Sequence, residues 1–227
     1  MKRIHIIFLF ILLIIICSVS CHQGESFNYK GKAGISFEAS TYDIHLGSLP
    51  YSIKEFQVKI PLTLIGTTSN IDRNYEIKII DTLSTAIENI QYKSIPRKFT
   101  LKAFSTNDTI YLTIIRGKLN ATSKYSLTMQ IKKETDLPPL IQKLSMVTIN
   151  FDNILDMPTW WQKLSYWLGE YDIRKYQKFI ELNGTPITSE EMEKKKYEYL
   201  RIFKRVKEYF DNHPEEGITF PDVVWEI

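Results

Sequence analysis

The densest set of side chains able to hold a ligand is MPTWWQKLSYWLGEY, residues 157–171, with three tryptophans and two tyrosines. Aromatic rings either fill a core, covering roughly 150–250 Å² each, or lie flat as platforms for the apolar face of a sugar. Trp160, Leu164, Trp167 and Leu168 recur at i, i+4, i+7 and i+8, the spacing of one buried helix face. Trp161 and Tyr166 fall off that stripe, so they are the candidates for stacking on a sugar ring. Trp161 is the better of the two, because its neighbour takes the buried position. Hydrolytic chemistry is poorly provided for. Glycoside hydrolysis needs two carboxyls roughly 5–10 Å apart in a cleft. Asp152 and Asp156 lie at i, i+4 and read as local caps, and Glu190, Glu191 and Glu193 crowd the first turn of a predicted helix, where acids favour the macrodipole. His22, His45 and His213 lie far apart, with no Ser-His-Asp or Cys-His context. No catalytic residue is predicted.

The amino terminus reads MKRIHIIFLFILLIIICSVSC. Lys2 and Arg3 precede an apolar run from Ile6 to Ile16, short for a bilayer span and flanked like a signal peptide. Ser18, Val19 and Ser20 then lead into Cys21. Small residues before a cysteine resemble a bacterial lipobox, which implies cleavage after residue 20 and lipidation of Cys21. Each buried CH₂ of a lipid chain contributes about 0.8 kcal/mol, so a triacylated cysteine would anchor the chain firmly. Cys17 would leave with the leader, and the one remaining sulfur would carry lipid. That excludes a disulfide, and with the scattered histidines it leaves no His/Cys metal site. There is also no D-x-D-x-D-G run for calcium. No cofactor is predicted.

Without Lys2 and Arg3, 27 basic residues face 26 acidic ones. A nucleic-acid surface wants a clustered basic excess, so nucleic acid is not an expected partner. The run KKK at 194–196 is interleaved with glutamates and reads as a solvated helix face.

Residues 21–32 read as a lipidated tether. Beyond them, EFQVKIPLTL places Phe56, Val58, Ile60, Leu62 and Leu64 at period 2, the mark of a strand with one buried face. Pro61 cannot donate to a ladder, so its nitrogen should face an edge or a bulge. AGISFEAS, NYEIKII, KFTLKAF, TIYLTIIR, KYSLTMQIKK and MVTINF follow the same pattern, separated by polar turns. These predict an antiparallel sandwich over residues 33–151. From residue 152 the period becomes helical. One helix carries the tryptophan stripe and breaks at Gly169. A second is capped by Asp172, with Ile173, Tyr176, Phe179 and Ile180 on one face, and a third begins at the capping-box pair Thr188 and Glu191. The expectation is a mainly β chain with α: a sandwich, then a small helical module over 152–227.

Several stretches together carry a resemblance: VKIPLTLIGTTSNIDRNYEIKI, STAIENIQYKSIP, TIYLTIIR and VTINFDNILDMPTWWQ…LGEYDIRKYQKFI. With the lipobox they resemble the Bacteroidota lipoproteins catalogued as domain of unknown function 4843. Gly66, Asp72 and Arg73 match that family's amino-terminal motif. Pro158, Trp160, Trp161, Gly169, Tyr171, Lys175 and Tyr176 match its carboxy-terminal one. Asp172 stands where the family usually has serine, and either residue can cap a helix. The first half also resembles an immunoglobulin-like or Calx-β sandwich, without the acidic loops that bind calcium in the latter. The family resemblance implies a lipid-anchored outer-membrane protein, its face undetermined. It also implies an accessory role in nutrient uptake, with a TonB-dependent transporter and its lid lipoprotein as partners and a glycan as ligand. A structural or assembly role without small ligand is the alternative. The Asp-Thr-aliphatic triplets at 81–83 and 108–110 resemble an O-glycosylation signal of such exported proteins, making Thr82 and Thr109 candidate acceptors.

Overall fold

The computed structural model describes residues 31–225. The expected signal peptide (residues 1–20), Cys21 and most of the expected tether lie outside them. The strand read most plainly from the sequence is the middle of a sheet. β3 (Phe56–Ile65) is flanked by β1 (Gly34–Phe37) and β6 (Asn107–Ile114), antiparallel on both sides. Val58, Ile60, Leu62 and Leu64 all point inward. Pro61 is tolerated in this central strand because β1 ends beside it. Its carbonyl accepts from Glu38 N–H at 3.1 Å, one residue past β1, and its nitrogen faces the same side, where the ladder has stopped.

The second sheet has five strands in the order β2 (Thr41–His45), β8 (Met146–Asp152), β7 (Lys124–Ile131), β4 (Arg73–Ile79) and β5 (Lys98–Leu101). Ile35, Phe37, Ile60 and Leu112 of one sheet share a buried cluster with Tyr75, Ile77, Leu127 and Phe151 of the other. Each such side chain contributes roughly 1.5–3 kcal/mol on burial. The result is a β-sandwich. The opening segment changes sheets midway. β1 pairs antiparallel with β3, and four residues later β2 runs parallel to β8. The other ladders are antiparallel. This arrangement is immunoglobulin-like, and so is a corner at the start of β7. There the Tyr125 hydroxyl accepts Asn120 N–H at 3.1 Å while its ring stacks on Phe151. Strand β2 was not anticipated: its residues are alternately exposed and only half-buried.

Beyond Asp152 the chain becomes helical, though not where one continuous first helix was expected. Trp161–Leu164 form a 3₁₀ turn that runs into the four-residue α1 (Ser165–Leu168), which Gly169 ends at φ 66°. Asp172 caps α2 (Ile173–Asn183) by accepting Arg174 N–H at 2.8 Å. Gly184, at φ 91°, closes it. Thr188 and Glu191 form the reciprocal capping box of α3 (Ser189–Lys194). The expected third helix is interrupted at Lys195 and resumes as α4 (Lys196–Asp211). Met192, Tyr199, Phe203, Val206 and Phe210 are all buried, as their spacing predicted. They join Trp160, Trp161, Leu168, Tyr176 and Phe179 in a second apolar cluster, with Phe179 stacked on Phe203 at 4.3 Å.

Both clusters belong to one compact unit, Ala33–Ile227. The segment between β2 and β3 is the seam. A Cβ at Gly47 would collide with the Ile154 carbonyl, so only glycine fits there. Gln177 of α2 donates to Gly47 O at 2.9 Å and to Asn153 Oδ1 at 3.1 Å. Tyr51 OH donates to Glu216 at 2.6 Å, and Ser52 N–H to Glu181 at 2.6 Å.

Candidate functional site

Trp161 is not a platform. It is 1% exposed, inside the stripe it was expected to leave. The reason is local: it opens a 3₁₀ turn, and 100° per residue does not apply across that turn and the short α1. Trp160 and Trp161 therefore both point inward, 5.7 Å apart. The Trp161 ring meets Tyr171 edge-on at 5.0 Å and Phe203 at 5.6 Å, and its Nε1–H donates to Gly169 O at 3.1 Å.

Tyr166 is 60% exposed. It meets the half-buried Trp167 edge-on at 5.1 Å. Lys196 Nζ lies 5.0 Å from the centre of the Trp167 ring and 5.9 Å from that of Tyr197, itself 61% exposed. Tyr166, Trp167, Lys196 and Tyr197 thus form one surface patch where α1 meets the start of α4. The cation over the indole is the arrangement cation–π attraction favours. Sequence spacing had found Tyr166 but missed Tyr197, which is 31 positions away.

The candidate glycosylation sites differ. Thr82 is exposed in a 3₁₀ turn after β4. Thr109 lies within β6 opposite Pro61, half-buried, its backbone N–H donating to Asp108 Oδ1. Only the first has the open setting that modification implies. Cys21 lies outside the described residues.

A polar cleft of about 380 Å³ opens at the seam between the sandwich and the helical module. Lys54, Arg116, Asn120, Arg174, Gln177 and Glu216 line it. Arg116 is buried, yet it pairs with no carboxylate among the described residues. Its Nε–H donates to Asn153 Oδ1 at 2.9 Å, Nη1 to the carbonyls of Pro50 and Ile53, and Nη2 to that of Leu49. Burial pushes its guanidinium down to about 10. Lys54 lies over the Tyr51 ring at 3.3 Å, and its ammonium is lowered chiefly by desolvation. A second groove, about 680 Å³, shares Ala121, Ile173 and Arg174 with the first and runs on past Tyr171 and Asp172. Arg174 pairs with Asp172 at 2.7 Å. Burial works to raise the Asp172 carboxyl, but hydrogen bonds from the Arg174 side chain and backbone outweigh it and hold the carboxyl below its usual value.

Neither carboxylate read as a local cap in the sequence caps a helix: Asp156 lines the second groove, exposed and without a side-chain hydrogen bond among the described residues. Asp152 ends β8, accepting from His45 Nδ1 at 2.9 Å and from Ile154 N–H at 3.1 Å. Among the described residues no three His, Cys, Asp or Glu side chains are grouped to hold a metal ion, and no helix is long and apolar enough to cross a membrane.

The family described as Domain of unknown function (DUF4843) matches residues 29–185, the sandwich and the helical module as far as the end of α2. The chain belongs to this family. No curated protein matches it. Among solved structures it is similar to a "putative carbohydrate binding protein" from Bacteroides ovatus, at 11% identity and TM-score 0.42, over 55% of this chain and 38% of that one. It is also similar to a protein of unknown function from Bacteroides ovatus, at 16% identity and TM-score 0.42, over 52% and 43%. The periplasmic chaperone SfaE aligns at 12% identity and TM-score 0.34, over 62% and 68%. The chain spans less than half the length of the two Bacteroides ovatus proteins.

The motif residues that carry the family resemblance serve the fold. Trp160 and Trp161 are core, and Gly169 has the positive φ that ends α1. Tyr171 OH donates to Leu155 O at 2.7 Å, and the buried Lys175 ammonium donates to the carbonyls of Leu168 and Glu170 at 2.7 and 3.1 Å. Tyr176 OH accepts Ile187 N–H at 3.1 Å. In the amino-terminal motif, Gly66 has φ 103°, and Asp72 accepts from Lys102 Nζ and Ala103 N–H, both at 2.9 Å.

Proposed function

We propose that this protein is a non-enzymatic lipoprotein of the cell envelope, anchored in the outer membrane through Cys21. In this reading it assists a nutrient-uptake system by holding a glycan on its helical module. The observation that supports this is the exposed patch of Tyr166, Trp167 and Tyr197 around Lys196. Aromatic faces bind the apolar faces of pyranose rings, and an ammonium nearby can hydrogen-bond the hydroxyls that flank them. Asp152 and Asp172 are held by hydrogen bonds, which favours a binder over a hydrolase, because a general acid needs a carboxyl whose proton is retained near neutrality. Asp172 is shifted the other way. A TonB-dependent transporter and its lid lipoprotein are the proposed protein partners.

The test is titration of the full chain, purified in detergent, with a panel of neutral polysaccharides, followed by tryptophan fluorescence. Binding that Tyr166→Ala and Tyr197→Ala each weaken tenfold supports the reading. The same patch suits the alternative, an assembly role through protein contacts alone. Absence of any glycan response, together with Tyr166-dependent capture of an envelope protein, would decide for that alternative. Radiolabelled palmitate incorporation, abolished in Cys21→Ala, tests the anchor separately.

A further inference from the structure

We infer that the seam cleft is a binding site for a monoanionic, carboxylate-bearing ligand about the size of one sugar ring. Charge balance comes first. Lys54, Arg116 and Arg174 line the cleft against Glu216 alone, and Asp172 pairs with Arg174 from the neighbouring groove. Lys178 and Glu181, nearby on α2, cancel each other at 2.7 Å. One positive charge is left over, which calls for a monoanion rather than a phosphate dianion or a cation.

The cations are also placed to act. Arg116 and Lys54 have no carboxylate partner among the described residues. A buried guanidinium without an anion is costly, and carbonyl oxygens only partly offset the lost hydration. A carboxylate in the cleft would complete the compensation. Glu216 does not fill that role: among the described residues it forms no ion pair with Arg116 or Lys54, and its carboxylate accepts from Tyr51 OH at 2.6 Å. Asn120 supplies a neutral donor. Its Oδ1 takes both the N–H and the hydroxyl of Thr122 at 2.8 Å, leaving the Nδ2 hydrogens without a protein acceptor among the described hydrogen bonds. The volume of about 380 Å³ lies at the small end of ligand pockets, large enough for one pyranose. The walls come from the β2–β3 segment, the turn after β6, the residue after β8, the first turns of α2 and the turn after α4, so the site exists only where sandwich and module meet.

The inference is independent of the aromatic patch. Isothermal titration calorimetry of the full chain in detergent, at low salt, would use sodium glucuronate, glucose and sodium sulfate as probes. Glucuronate should bind, glucose should not, and added salt should weaken the binding. Lys54 is exposed, so Lys54→Gln should fold normally and weaken glucuronate about tenfold, while Lys54→Arg should restore most of the affinity. Tyr166→Ala should leave it unchanged. Equal binding of glucose, an undiminished Lys54→Gln, or no heat with any probe would overturn the site. Equal affinity for sulfate would overturn the assignment of a sugar-sized ligand.

Discussion

Trp161→Ala separates a structural tryptophan from a binding one. The side chain is 1% exposed and touches Trp160, Tyr171, Tyr176 and Phe203. Truncating a buried tryptophan to alanine costs roughly 3–5 kcal/mol through lost transfer energy and the cavity left behind. The aromatic pairs contribute about 0.5–1.5 kcal/mol each beyond area alone, and the Gly169 carbonyl loses its Nε1–H donor, worth about 1 kcal/mol. These terms overlap, so the expectation is a loss of about 4 kcal/mol. Against total stabilities of about 5–15 kcal/mol, that is between roughly a quarter and four-fifths of the whole. Urea unfolding followed by near-ultraviolet circular dichroism, with ΔG from linear extrapolation, measures it. Tyr166→Ala, on the surface nearby, should change ΔG by no more than about 0.5 kcal/mol. A Trp161→Ala protein within 1 kcal/mol of the parent would refute the packing argument.

Three further outcomes are expected. Arg116→Met leaves the carbonyls of Leu49 and Ile53 without a donor, and that of Pro50 with only Ile53 N–H, and should cost about 3 kcal/mol, with faster amide hydrogen exchange across residues 46–55. Thr188→Ala removes one half of the capping box and should cost about 1 kcal/mol, read by thermal unfolding. The folded Asp172 carboxyl lies below its usual value, so its contribution is full above the ordinary carboxylate range and is lost as pH falls through the folded value. Asp172→Asn keeps the cap but not the charge, so it should lower stability at pH 7 by about 1 kcal/mol or less and flatten the acid limb below about pH 4.

The sequence disclosed the fold where burial is one-sided. β3 shows this, since every second residue is apolar and each of those from Val58 to Leu64 is buried. β2 escaped notice because Tyr42 and Ile44 are only half covered, which leaves little apolar alternation to detect. The caps at Asp172 and Thr188 were legible because a cap is settled within four consecutive positions. The placement of Trp161 was not, because a 3₁₀ turn shifts the phase by a fraction that no residue type announces. The cleft was the least legible feature. Lys54, Arg116 and Arg174 come from three distant segments, and each alone looks like an ordinary surface cation. Only the Leu49, Pro50 and Ile53 carbonyls converging on one guanidinium reveal the difference.

The exchange of the opening segment between sheets has a mechanical consequence. β2 runs parallel to β8 over five paired positions, Thr41↔Thr148 through His45↔Asp152. A force drawing the amino-terminal side away from the helical module pulls β2 from its start and β8 from its end. In a parallel pair those directions are opposed along the strand axis. The rungs between them are then loaded together in shear instead of one after another as in a zipper. A pull along that line loads the β2–β8 ladder in shear, and the two strands would part only when all five pairs slide at once.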